Sequence, residues 1–180
     1  MLKLRELEPS PVGELVRSQG RSIALGAFAP LASYALFHLV TIFALSWALL
    51  FTKQSTVSFL LVQMVGAVVA IPCMFLSGRI ADRYGRRMTL AVFGVLIAIY
   101  SGWTPLMLAG GTGESYLFII VGFALLGLSH AQAAGAVNSS FLSYYRYTGA
   151  LITSDLGWLF GAGFAPLVAL SLSVYLGVGY

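Results

Sequence analysis

The chain has 180 residues, of which 59% are hydrophobic and only 9% are charged, and its mean hydropathy is +0.90. A soluble domain of this length needs far more polar surface, so the composition excludes one and predicts an integral membrane protein. The formal net charge of +4 does not indicate nucleic-acid binding, because the basic residues lie at the ends of apolar segments. The single cysteine, Cys73, lies inside an apolar run, which excludes a disulfide framework.

The apolar runs predict an all-α protein with about five transmembrane helices. A spanning helix needs about 20 mostly apolar residues, and runs of this length without period-2 alternation favour helices over a barrel. Residues 1–21 are polar and are predicted to form a cytoplasmic arm rather than a secretory signal. The transmembrane domain covers residues 22–180, with spans at about 23–51, 57–76, 88–108, 116–137 and 150–176.

Small residues and prolines inside the spans predict a packed bundle of bent helices. Gly157 and Gly161 form a Gly-x-x-x-Gly face, which allows two helices to approach closely, and ordinary helix packing is favoured over a dimerisation motif. Pro30, Pro72 and Pro105 each remove a backbone hydrogen bond and are expected to bend their helices.

The distribution of basic residues predicts the orientation in the membrane. Nine of the ten Lys and Arg residues lie on the side of the N-terminal arm, and Lys53 is the one on the opposite side. Cytoplasmic loops carry an excess of Lys and Arg, so the N-terminus is predicted to face the cytoplasm.

The densest charge lies between the second and third spans, where residues 78–87 read G-R-I-A-D-R-Y-G-R-R. Gly85 is expected to allow a reversed turn, and Gly78 to let two helix ends approach. The carboxylate of Asp82 is able to pair with a neighbouring arginine or to cap a helix N-terminus. For Arg86 and Arg87, simple anchoring of the topology is an equal alternative.

This stretch resembles the signature loop of the major facilitator superfamily, G-x-x-x-D-R-x-G-R-R, which joins the second and third helices of each six-helix half. We call residues 78–87 the signature loop. The resemblance implies that the loop acts as a latch between the halves of a carrier, breaking and re-forming during transport. All its fixed positions are present: Gly78, Asp82, Arg83, Gly85, Arg86 and Arg87.

Two further segments resemble the metabolite:proton symporter branch of that superfamily. Residues 146–150 read R-Y-T-G-A, which opens the eleventh helix in this branch, and residues 163–169 resemble the small-residue and proline stretch further along it. The chain as a whole resembles helices seven to eleven of a twelve-helix carrier, preceded by the end of the cytoplasmic linker. Ser139 and Tyr144 depart from the branch, standing where an acid and an arginine are expected.

The resemblance implies a partial or truncated carrier in the cell inner (plasma) membrane. Such a carrier moves a small organic acid or zwitterion together with protons, as a symporter, by rocking one half against the other. The implied partners are the lipid bilayer, the metabolite, the proton, and a missing N-terminal half or another membrane subunit. Nucleic acid, cofactors and metals are not expected.

Four ionisable residues are candidates for a substrate or proton path. Asp155 is the only acidic residue predicted inside a span, where ionisable groups are costly and usually functional; a shallow, hydrated position is the alternative. His38 and His130 lie inside spans, where a neutral imidazole relays protons or makes hydrogen bonds that pack helices. Arg146, in the R-Y-T-G-A motif, is the fourth candidate.

Other polar and aromatic side chains inside the spans are expected to bridge helices, face a cavity or pack in the core. These are Tyr34, Gln63, Trp103, Gln132, Asn138 and Trp158.

Two other classes of function are alternatives to a carrier. An intramembrane enzyme is disfavoured, because no nucleophile–base set, metal-ligand spacing or phosphate-binding loop is visible. A small membrane subunit that acts only by binding the helices of a partner remains the alternative. Asp82→Asn separates the two, since it is expected to abolish uptake by a carrier and to leave a partner complex intact.

Overall fold

The computed structural model of the protein describes residues 12–139, 141, 143, 145–164, 167–168, 171 and 175. All regular secondary structure in these residues is helical. The helices are α1 (Val12–Phe28), α2 (Leu31–His38), α3 (Ala44–Phe51), α4 (Thr56–Tyr84), α5 (Arg86–Ala109), α6 (Thr112–Ser139) and α7 (Arg146–Trp158). Two π-helical turns add to them, Leu39–Phe43 between α2 and α3 and Leu159–Phe164 after α7.

Among the described residues, four helical segments are long and apolar enough to cross a membrane. Their bounds are Val12–Phe51, Thr56–Tyr84, Arg86–Ala109 and Thr112–Ala133. They overlap the first four predicted spans, and the chain is an all-α, multi-pass membrane protein. The fifth predicted span, 150–176, is helical from its start to Phe164, and much of its remainder lies outside the described residues.

Two helix boundaries differ from the sequence-based prediction. Helix α1 begins at Val12, within the predicted arm, of which residues 1–11 lie outside the described part of the chain. Helix α4 continues past residue 76 to Tyr84, so most of the signature loop is helical. Charged side chains do not stop a helix when it leaves the bilayer, because water then solvates them. The break falls at Gly85, whose φ of +86° ends α4.

Helix α6 lies at the centre of the bundle. Half of the residues in its most apolar stretch are buried by the other helices, against 17% of those in the corresponding stretch of α4. Its closest neighbour is α4: a Cβ at Gly127 would clash with the backbone carbonyl of Ala70, and a Cβ at Gly66 would lie 3.0 Å from Cγ of Phe123. Gly127 lets the two helix backbones touch and Gly66 makes room for the Phe123 ring; small residues of this kind allow helices to associate closely in lipid.

Helix α7 packs against α1 and α2 through the Gly-x-x-x-Gly face. A Cβ at Gly157 would lie 2.9 Å from Cε2 of Tyr34 and 3.1 Å from Cγ of Pro30, and a Cβ at Gly161 would lie 2.7 Å from Cβ of Tyr34. The prediction of ordinary helix packing for this face is confirmed. Pro30 lies at the break between α1 and α2, as expected, whereas α4 continues through Pro72.

The π-helical turn in the first span is held by a side chain from the second. The amide nitrogen of Gln63 donates hydrogen bonds to the carbonyl oxygens of Val40 and Thr41, at 2.9 Å each. A π turn shifts the backbone hydrogen-bond register, and polar backbone groups in lipid need a partner inside the protein. Gln63 therefore bridges two helices, which is one of the two roles expected for it.

Candidate functional site

An aromatic stack joins α2 to α7 at the edge of the bundle, with Tyr34 buried and Trp158 exposed. The ring of Tyr34 stacks on that of Trp158 with centroids 4.4 Å apart and an interplanar angle of 21°. The ring of His130, from α6, lies 5.8 Å from Tyr34, and the ring of His38 lies 6.0 Å from Trp158. Both histidines singled out in the sequence thus lie beside one stack, and we call these four side chains the histidine–aromatic cluster.

Short polar contacts fix the elements that carry this cluster. The hydroxyls of Tyr34 and Ser154 lie 3.3 Å apart, which ties α2 to α7. Ser33 donates a hydrogen bond of 2.9 Å to the hydroxyl of Ser129, which ties α2 to α6, and both serines are buried. Each contact satisfies a polar group that lipid would leave unpaired, so the rings are held by three helices at once.

His38 differs from the rest of the cluster in having fully buried nitrogens without a hydrogen-bond partner. Its Nδ1 and Nε2 atoms are both buried, and neither has a hydrogen-bond partner in the described part of the structure. Edge-to-face contacts with Phe37 and Trp158 orient the ring. An unsatisfied buried polar group costs about 1–3 kcal/mol. The ring is therefore able to accept a proton, a water molecule or a polar group of a ligand.

The other two candidates of the path lie away from the cluster. Residues 153, 157 and 161 of α7 and the turn after it are buried, and Asp155 lies about 200° around the helix from position 153. Its side chain is exposed on the outer side of the bundle, although the preceding Ser154 contacts Tyr34. Arg146 is exposed at the first residue of α7.

A side chain of the signature loop forms a hydrogen bond with another helix. Arg86 donates a hydrogen bond of 3.2 Å to the carbonyl oxygen of Gly135, close to the C-terminal end of α6. A cation is favourable there, because the helix dipole places negative charge at that end. Asp82 is exposed and forms no ion pair with any residue that the structure describes. The expected pairing of Asp82 with a neighbouring arginine is therefore absent from this structure.

The two signature glycines differ. Gly85 adopts φ +86°, ψ 142°, which agrees with the reversed turn expected of it. Gly78 lies inside α4, and no atom lies within 4 Å of the position that a Cβ would take. The close approach of helices expected at Gly78 is therefore wrong.

The remaining sequence predictions have mixed outcomes. Tyr34 and Trp158 pack against each other in the bundle, Gln132 is buried, and Trp103 is exposed. Tyr144 and the side chains of Asn138 and Ser139 lie outside the described residues. The Ser33–Ser129 contact was not predicted, because buried serines are common in membrane helices and carry no sequence signal of a partner. No three His, Cys, Asp or Glu side chains among the described residues form a group that could hold a metal ion.

Comparison with known proteins shows that the sequence is similar to metabolite transport proteins. No protein-family model and no solved structure matches the chain. An inner membrane metabolite transport protein of Escherichia coli strain K12 is 27% identical over 178 residues, covering 94% of this chain and 40% of the relative. Two proteins of Haemophilus influenzae, named as metabolite transport proteins, are 29% and 26% identical, over 93% and 94% of this chain and 40% and 41% of their own length. The chain is thus a relative of bacterial metabolite transport proteins, as the resemblance of its motifs predicted, and it spans about two fifths of their length.

Proposed function

We propose that this chain forms part of a major facilitator carrier that moves a small organic acid or zwitterion together with protons. The observation that carries the proposal is the position of His38 and His130, both half-buried, beside one aromatic stack. The relatives named as metabolite transport proteins support it, since they match more than nine tenths of the chain.

In this proposal His38 is the proton-accepting group. Its two buried nitrogens have no partner among the described residues. A proton, or a polar group of the substrate, satisfies a nitrogen that otherwise has no hydrogen bond. The charge gained on protonation is costly among apolar side chains. A bound anion lowers that cost, which links the arrival of a proton to the arrival of the substrate.

In the same proposal, the signature loop acts as a latch between the two halves of the carrier. Arg86 already ties the start of α5 to the last turns of α6. Asp82 is exposed, so its carboxylate is available to a residue of a second half. The excess of basic residues on this side supports a cytoplasmic position for the loop and the N-terminal arm in the inner membrane.

Uptake into proteoliposomes tests the proposal. The natural gene product that contains this chain is reconstituted, and uptake of labelled organic acids is measured with and without an imposed pH gradient. We expect uptake that the gradient stimulates and a protonophore removes, and we expect Asp82→Asn to abolish it. Arg79→Gln is the matched control, because Arg79 is an exposed charge at a variable position of the motif. Uptake that ignores the gradient contradicts proton coupling, and uptake that survives Asp82→Asn contradicts the latch.

The second candidate function is a small membrane subunit that binds the helices of a partner. It is favoured by the outer face of α4, where large apolar side chains are exposed: Leu60, Leu61, Met64, Val68, Ile71 and Phe75. Co-purification from solubilised membranes separates the two candidates. A subunit of this kind keeps its partner in the Asp82→Asn variant and catalyses no uptake.

A further inference from the structure

A cavity of about 430 Å³ lies at the end of the bundle opposite the signature loop. It is open to the outside and is lined by the end of α3, the connection from α3 to α4, the end of α5 and the start of α6. The side chains that matter for its chemistry are Trp47, Lys53, Gln54, Ser55, Thr112 and Tyr116. We call this cavity the Lys53 pocket. It is separate from the histidine–aromatic cluster, with which it shares no lining residue.

The Lys53 pocket carries uncompensated positive charge. Lys53 is the one basic residue assigned to this side of the membrane. It lies two residues before Ser55, the N-cap of α4, where the helix dipole is also positive. The first turn of α4 has no acidic residue, and the side chain of Ser55 forms no capping hydrogen bond. The backbone N–H groups of that turn therefore have no side-chain acceptor at the cap, which favours an oxyanion.

The acidic residue closest in sequence to the pocket lies at its edge. Glu114 belongs to the first turn of α6, and its carboxylate lies against Gly110, between the lining residues Ala109 and Gly111, although Glu114 itself does not line the pocket. Neither Lys53 nor Glu114 forms an ion pair with a described residue, so the lysine charge is not neutralised by this carboxylate. The start of α6 thus has its own compensating charge, and the start of α4 has none.

A polar acceptor in the same pocket points to a second property of the ligand. The side-chain oxygen Oε1 of Gln54 is buried and has no hydrogen-bond partner in the described structure. The backbone N–H of Gln54 donates to Thr52 Oγ1 at 3.3 Å, and Thr52 Oγ1 in turn donates to the carbonyl of Ala48 at 2.7 Å. The Thr52 hydroxyl is therefore already committed, whereas Gln54 Oε1 is open to a hydrogen-bond donor of a ligand.

The rest of the lining suits a short carbon skeleton. Trp47 and Tyr116 contribute aromatic surface on either side of the polar connection. A volume of about 430 Å³ lies within the range of about 300–1,000 Å³ that is typical of small-molecule sites. Polar and apolar surface contribute about equally to the lining, and such sites use polar groups to fix the orientation of a ligand.

We propose that the Lys53 pocket binds an oxyanion that carries a neighbouring hydroxyl group. The oxyanion contacts the Lys53 ammonium and the N-terminal amides of α4, and the hydroxyl donates to Gln54 Oε1. A free small metabolite and the head group of an anionic lipid both offer this chemistry. The proposal does not depend on transport, since the pocket is distinct from the cluster proposed to take the proton.

Two probes distinguish the sources of the ligand. The chain is placed in nanodiscs of phosphatidylcholine, and either sn-glycerol 3-phosphate is titrated from solution or phosphatidylglycerol is included in the disc. Binding is followed by the shift in thermal unfolding. A saturable shift with glycerol 3-phosphate indicates a soluble ligand, whereas a shift with phosphatidylglycerol alone indicates a lipid head group. No shift with either probe overturns the proposal.

Substitutions then test whether the named residues form the site. Lys53→Gln is expected to weaken binding by at least about tenfold, since it removes a charged hydrogen-bond donor, and Lys53→Arg is expected to retain binding. Gln54→Leu is expected to remove the preference for glycerol 3-phosphate over inorganic phosphate. Arg79→Gln, an equal loss of charge at the opposite end, is the control. Equal binding by Lys53→Gln and the unsubstituted chain, or equal losses in Lys53→Gln and Arg79→Gln, overturns the assignment.

Discussion

Arg86 Nη1 donates a hydrogen bond to the carbonyl oxygen of Gly135 at a distance of 3.2 Å. Arg86 is the first residue of α5, and Gly135 lies near the end of α6. The bond therefore joins the two helices on the side of the signature loop. The contact also explains the glycine, because a Cβ at position 135 would lie 3.0 Å from the same guanidinium nitrogen. One arginine of the motif thus has a defined place in the fold, independent of any role as a latch.

Removal of this bond is expected to have a small but measurable effect on stability. Arg86→Gln should lower the free energy of unfolding by about 0.3–1 kcal/mol, the usual value of an exposed cation at a helix C-terminus. The effect should decrease at high salt, because the site is exposed. Unfolding by sodium dodecyl sulfate in mixed micelles measures it. Arg79→Gln serves as the control, and an equal loss in that variant would show that general charge, not the Gly135 contact, is responsible.

The contact between α4 and α6 predicts a larger effect. Gly127→Ala places a methyl group against the backbone carbonyl of Ala70, which cannot rotate away as a side chain does. We expect a loss of about 1–3 kcal/mol in the free energy of unfolding, as for other overpacked interiors. Gly94→Ala in α5 is the matched control, since no atom lies within 4 Å of its Cβ position. Equal stability of the two variants would contradict the close packing of α4 and α6.

The link from Gln63 to the π turn predicts an intermediate effect. Gln63→Leu keeps the side-chain volume and removes the donor to the carbonyls of Val40 and Thr41. Interhelical hydrogen bonds in membranes contribute about 0.6 kcal/mol on average and up to about 1.7 kcal/mol, so a loss in this range is expected in the same unfolding assay. The exposed neighbour Met64 provides the control as Met64→Leu. Unchanged stability in Gln63→Leu would mean that the π turn does not need this donor.

The sequence allowed prediction of the spans and the small-residue faces. It did not allow prediction of which side chains meet in the candidate site. Length and hydrophobicity are local properties, so the first four spans could be predicted. The rotation of each helix about its axis could not, because a span that is apolar on every side has little directional pattern. Asp155 was therefore a candidate for the interior and lies on the outside, whereas the Ser33–Ser129 pair and the π turn gave no recognisable signal.

The extent of helix α4 is a second example of the same limit. The charges of the signature loop predict where the chain leaves the apolar region. They did not indicate that the helix continues through them to Tyr84, because helix formation outside lipid depends on backbone propensity and not on hydropathy. One residue with a positive φ, Gly85, decides the position of the turn.

The proton role proposed for His38 predicts a separation of two activities. His38→Gln keeps a polar side chain of similar size and removes the titrating ring. Uptake driven by a pH gradient should fall by at least about tenfold, whereas exchange of labelled for unlabelled substrate, which moves no net proton, should persist. His130→Gln is the comparison, because the histidine nitrogens that are fully buried without a partner in the described structure belong to His38. Equal losses of both activities would assign His38 to substrate binding or folding instead.

The two glycines of the signature loop predict opposite effects of the same substitution. Gly85→Ala forces a side chain into φ +86°, ψ 142°, a region that is essentially restricted to glycine, at a cost of about 1–3 kcal/mol. Gly78→Ala places a methyl group in open space inside a helix, where alanine is favoured over glycine by about 0.5–1 kcal/mol. The free energy of unfolding should therefore fall in the first variant and rise in the second. If Gly78→Ala folds with this added stability and still loses uptake, the requirement for glycine at position 78 comes from a surface that α4 presents to a second half during transport.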